Sequence, residues 1–146
     1  MRYFEDFTPG QVYAGTTRAR VELKRIKSFA AEFDPQPFHL DQDAAGASLF
    51  KGLAASGWHM AALTMLLLVE SELKPGGGIV GAGFDELRWP LSVRPGDELR
   101  VESEILEVRA LKSRAGTGIV KVKTTTLNQR GDAVQVAIGN LLVLRR

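Results

Sequence analysis

Hydrophobic and polar residues alternate with two different periods along the chain, and the change of period divides it. In the second half, Leu99, Val101, Ser103 and Ile105 alternate with Glu98, Arg100, Glu102 and Glu104, a period of two that predicts a strand with one face on a core. The same alternation through Val120, Val122, Thr124 and Thr126, and again through Val134, Val136 and Ile138, predicts two antiparallel neighbours joined by a Gly-containing hairpin loop at residues 128–132. Residues 79–89 read as a further strand ended by Pro90, which makes a four-stranded meander. Arg94-Pro95-Gly96-Asp97 sets Pro and Gly where a type II turn needs them.

The first half has a longer period. Residues 10–21 predict a short strand pair, and residues 22–33 a helix, because Ile26, Phe29, Ala30 and Phe33 recur at 3.6-residue spacing before Asp34-Pro35 stops it. Residues 52–70 are apolar on nearly every side, which predicts a helix buried within its fold. Lys74-Pro75-Gly76-Gly77-Gly78 then reads as a helix stop and tight reversal between an α-rich half ending near Leu73 and a β-rich half starting at Ile79. Neither half carries enough apolar surface to close its own core, so one α+β domain over residues 1–146 is expected, its sheet wrapped around the long helix. Sandwiches of several topologies share this coarse order.

Composition removes several chemistries. With no cysteine among 146 residues, disulfides, thiolate metal sites and a cysteine nucleophile are excluded. The net charge of +2 comes from scattered Lys and Arg without interleaved aromatics, so a nucleic-acid partner is not indicated. The first seven residues carry acids and no apolar core, unlike a secretory signal, which points to the cytoplasm. The apolar stretch at residues 60–69 is shorter than the roughly 20 residues that span a bilayer, so no membrane partner is expected.

Candidate chemistry concentrates in Asp34-Pro35-Gln36-Pro37-Phe38-His39. Each Pro fixes its own φ and biases the residue before it toward extended backbone, which predicts a stiff, non-helical link able to aim Asp34 and His39 into one cleft. A carboxylate beside an imidazole can hold a water, one group taking its proton and the other delivering a proton to carbon. The residues alone also permit a plainer reading, in which Asp34 ends a helix, Asp-Pro starts a turn and His39 lies at the surface.

The segment resembles the hydratase motif of the MaoC-like family of (R)-specific enoyl-CoA hydratases and dehydratases, whose usual form is Gly-Asp-x-Asn-Pro-x-His after a helix. Asp34, Pro37 and His39 match it in type and spacing, while Phe33 and Gln36 stand where the family commonly has Gly and Asn. Ser56-Gly57 resembles the family's start of the central helix, and residues 83–97 resemble its following strand and turn. The resemblance implies a hotdog fold, Asp34 and His39 as an acid-base pair, and Ser56 and Gly57 at the oxyanion and substrate-binding position. Unpaired N–H groups in the first turn of a helix can stabilise an enolate oxygen, and the residues alone equally fit a Ser and Gly that only cap the helix.

The resemblance further implies a coenzyme A thioester as substrate, no cofactor, and a homodimer or larger homo-oligomer. A hotdog thioesterase and a non-catalytic acyl-CoA-binding module are the rival functions. His59 is expected to be a satisfied core or interface histidine and Asp41 a helix N-cap rather than, with Asp43 and His39, a metal ligand.

Overall fold

The computed structural model describes residues 1–146. In chain order its elements are β1 (Val12–Ala14), β2 (Ala19–Arg20), α1 (Leu23–Phe33), α2 (Pro37–Leu40), α3 (Gln42–Gly46), α4 (Gly57–Glu70), β3 (Val80–Arg88), β4 (Glu98–Ala110), β5 (Thr117–Leu127) and β6 (Ala133–Leu144). The period-two alternation is what forms the sheet. Leu99, Val101, Ser103 and Ile105 are buried while Glu98, Glu102 and Glu104 face outward, and β4, β5 and β6 pair in antiparallel succession. Gly131, at φ +81°, closes the β5–β6 hairpin as its composition predicted.

Two pairings differ from the sequence expectation. β3 does not neighbour β4; it lies beyond β6, giving the order β1-β4-β5-β6-β3. The connection through residues 89–97 carries Pro90 and Pro95 and is too long for the two- to five-residue hairpin loop that would fold β4 back on β3, so the chain crosses over instead. β1 and β2 also do not pair with each other. Both lie on β4, Val12 opposite Glu104 and Ala19 opposite Leu99, because the thirteen-residue β4 offers an edge long enough for both. Between them Gly15 passes so close that an added Cβ would sit 3.0 Å from Val101 Cγ2.

The central helix is shorter and less enclosed than its apolar pattern predicts. It starts at Gly57, not Gly52, because Ser56 caps it, its Oγ accepting from Trp58 N at 3.3 Å. It stops at Ser71, whose hydroxyl donates to Leu68 O, before the Pro-Gly run is reached. Residues 74–78 form the reversal into β3, tied to the amino terminus by bonds between Arg2 and both Lys74 and Gly76. His59, Met60, Thr64 and Leu67 are buried, whereas Trp58, Met65, Leu66 and Val69 are exposed, since one sheet covers only one side of a helix. No helix is long and apolar enough to cross a membrane.

Met60 and Leu67 of α4 pack with Ile26 of α1 and with Leu99, Val101 and Val134 of the sheet in one cluster of eleven buried residues. Leu99 is fully buried there, so Leu99→Ala is expected to lower unfolding free energy by roughly 2–5 kcal/mol. Urea denaturation reads this directly, and a loss under about 1 kcal/mol would show that the cluster does not carry the fold.

Candidate active site

Three short elements bring the candidate residues together. Asp34 leaves the end of α1, its N–H still bonded to Ala30 O; Gln36 N–H then bonds back to Asp34 O at 2.7 Å in a tight turn centred on Pro35, and Gln36 itself is extended. The rest of the link is not extended as the prolines suggested. Pro37 begins the one-turn helix α2, where its missing N–H is not needed and its fixed φ already suits a first helical position. That turn swings His39 inward, where it is 4% exposed, so the surface reading of this residue does not hold.

The histidine is oriented from behind. His39 Nδ1 lies 2.6 Å from Ala54 O, and because a carbonyl only accepts, Nδ1 carries the proton and donates. Nε2 is thereby turned to Asp34 Oδ2 at 3.2 Å. Ser56 is fully buried, and its hydroxyl donates to the same Oδ2 at 2.7 Å while capping α4. Gln36 Nε2 donates to the other oxygen, Oδ1, at 2.5 Å. Burial raises the Asp34 carboxyl, but the bonds from Gln36 and Ser56 and the charge of His39 outweigh it and hold the pKa below its ordinary value. The group is therefore ionised at neutral pH.

A cavity of about 260 Å³ opens beside His39, lined among others by Gln36, His39, Phe50, Gly57, Met60 and Trp89. Gly57 begins α4, so its N–H has no intrahelical acceptor. Its missing Cβ is taken up by protein: a Cβ there would come within 2.7 Å of Trp89 Cε2. The sequence suggested an approach by substrate at this place, and the structure shows the Trp89 indole against it.

Other residues fall outside the site or take different parts. Asp41 caps α3, accepting from Asp43 N and Ala44 N, and gathers no metal-binding group around it. His59 is buried but not satisfied, for its Nδ1 has no partner; it stacks on Phe29 at 4.7 Å, with burial and then Arg25 lowering its pKa. Trp58 is 59% exposed, and Trp89, which lines the cavity, is 40% exposed. Arg94 was invisible as a site residue. Its guanidinium donates to Phe50 O, to Gly52 O at 2.7 Å and to Leu53 O at 3.2 Å, fixing the loop that presents Ala54 O to His39. Only its place in the 94–97 turn, where Gly96 takes φ +90°, hinted at a structural part.

Residues 6–128 match the sequence model of the MaoC-like domain. The chain belongs to the MaoC-like family. A MaoC-like dehydratase from Rhodospirillum rubrum is 53% identical, with a TM-score of 0.95 over 100% of this chain and 99% of that one. The R-hydratase PhaJ1 of Pseudomonas aeruginosa is 27% identical, with a TM-score of 0.75 over 99% and 86% of the two chains. A mesaconyl-CoA hydratase of Cereibacter sphaeroides is 37% identical over 68 residues, which are 47% of this chain and 20% of that protein. The fold is the α+β hotdog, and membership with such relatives supports hydratase or dehydratase chemistry.

The Asp34 contacts have a pH consequence. Its folded pKa lies below its unfolded one, so the ionised contacts contribute stability above the ordinary carboxylate range, and this is lost as pH falls through the depressed value. A 13C titration of the Asp34 carboxyl is expected to give a midpoint below the ordinary 3.8, moving upward in Ser56→Ala. The acid limb of the stability curve should be shallower in Asp34→Asn, and an unchanged limb would contradict the assignment.

Proposed function

We propose that this protein adds water across the double bond of trans-2-enoyl-CoA to give an (R)-3-hydroxyacyl-CoA, or runs the reverse dehydration. The observation that carries the reading is the approach of Asp34 Oδ2 at 3.2 Å to Nε2 of His39, which lines the cavity. The hydratase names of relatives support the reaction type, and the mesaconyl-CoA hydratase supports a coenzyme A thioester.

Asp34, ionised at neutral pH, takes a proton from the bound water as its oxygen attacks C3 of the enoyl group. His39 helps to hold that water and shares delivery of the same proton to C2, the α-carbon, as Nε2 lies 3.2 Å from the Asp34 oxygen that took it, so the proton removed is the proton added. Negative charge passes meanwhile to the thioester oxygen. The Gly57 N–H, at the positive end of α4, polarises that carbonyl, while Ser56 keeps the carboxylate aimed. This addition needs no cofactor.

The exposed apolar side chains of α4, with Val80 and Phe84 on the exposed strand β3, suit a homodimer in which a second copy covers this side.

Asp34→Asn and His39→Ala are each expected to slow hydration of crotonyl-CoA by about 10²–10⁴-fold while circular dichroism stays unchanged. Near-normal absorbance loss at the enoyl band in both variants would overturn the assignment, and release of free thiol in its place would establish a thioesterase. Light scattering at micromolar concentration is expected to give at least a dimer, and a monomer would contradict the oligomer proposal.

A further inference from the structure

Two cavities follow one another along α4. The catalytic one takes Gly57 and Met60 from the first turn of the helix. The second, about 280 Å³ and mainly apolar, takes Ala61, Thr64, Met65 and Leu68 from the next turns and Phe84 and Leu87 from β3. No residue lines both.

One side-chain hydrogen bond joins the two linings. Trp89 lines the first cavity, Gln135 lines the second, and the indole Nε1 donates to Gln135 Oε1 at 2.9 Å. The indole N–H is donor only, so the amide must present its oxygen there and its nitrogen elsewhere. Gln135 Nε2 donates to Thr64 Oγ1 at 3.2 Å, and Thr64 shares a 2.6 Å hydrogen bond with Thr126. Gln135 is 2% exposed and stands between Val134 and Val136, where packing alone would favour another apolar residue. A buried amide is costly unless both its ends are paired, and here both are, one of them on the indole. Two further contacts place the ring, which is 40% exposed: it lies against Gly57 and edge-on to Trp58 at 5.4 Å.

We propose that Trp89, pinned by Gln135, is the stop that sets acyl length. A short enoyl group is accommodated in the catalytic cavity, while a longer chain is denied the apolar cavity behind the indole. The identity of the ligand rests on the hydratase reading; the stop itself rests on the two cavities and the hydrogen bond.

The test separates the two. Butyryl-CoA and octanoyl-CoA are titrated calorimetrically into the full-length protein and into Trp89→Leu and Gln135→Leu, and turnover of crotonyl-CoA and trans-2-octenoyl-CoA is measured alongside. The protein is expected to bind butyryl-CoA at least about ten-fold more tightly than octanoyl-CoA, and Trp89→Leu to shift that ratio toward octanoyl-CoA by about ten-fold or more. Gln135→Leu, which keeps the ring but frees it, should shift it in the same direction by less. The double variant leaves no amide unpaired and serves if Trp89→Leu alone fails to fold, as judged by thermal melting. Equal or tighter octanoyl-CoA binding by the unaltered protein, an unchanged ratio in the folded variants, or binding of neither thioester overturns the stop. Chain-length selection in binding without turnover of either enoyl thioester upholds the stop and overturns the hydratase reading. Turnover without selection does the reverse.

Discussion

One hydroxyl decides the geometry around it. Ser56 is fully buried, so its proton and its lone pair must both be used inside the protein, and they are spent on Asp34 Oδ2 and on Trp58 N. The start of the central helix and the position of the carboxylate are therefore one event. With Oδ2 fixed by Ser56 and Oδ1 by Gln36, the carboxylate has little rotational freedom, and His39 meets it in a set direction because Ala54 O holds its other nitrogen. Gln36 stands where the family commonly has the shorter amide of Asn, and its longer side chain reaches Asp34 Oδ1.

The scaffold behind this arrangement is polar and equally particular. Arg94 gathers three carbonyls of the loop before α4, which calls for several donors in a planar fork and not the single ammonium of a lysine. Its own turn is held by Asp97, which accepts from Arg94 N with one oxygen and from Gln129 with the other. A chain of hydrogen bonds thus runs from the β5–β6 hairpin through the turn before β4 to Leu53, the residue before the carbonyl that orients His39.

What the sequence made legible follows from how local each cause is. The strands showed themselves because alternation such as Leu99-Val101-Ser103-Ile105 is a local property, and Asp41 was readable as a cap for the same reason. The true start of α4 was hidden because Leu53, Ala54 and Ala55 continue an apolar run, and only Ser56 and the distant Arg94 keep them out of the helix. Strand order was hidden too, since β3 meets β6 across more than forty residues of chain. The acid-base pair was plausible from its prolines and became specific through family resemblance, whereas the Ser56 contact to Asp34, 22 residues apart, left no mark on either segment. His59 shows the limit of reasoning from residue type: its burial was foreseen, its unpaired nitrogen was not.

The placement of β3 beside β6 bears on the order in which the molecule can assemble. Asp34, His39, Ala54 and Ser56 lie within 23 consecutive positions, so closing the loops between them costs little chain entropy. The indole wall over them is different, because Trp89 meets Gln135 only across 46 residues and only once the most C-terminal strand has docked. A nascent chain that has not yet delivered β6 therefore holds the segments bearing Asp34 and His39 without the partner that fixes the indole beside them. The contact between Asp34 and His39 and the contact between Trp89 and Gln135 come from separate parts of the chain, and they stand together only when the sheet closes.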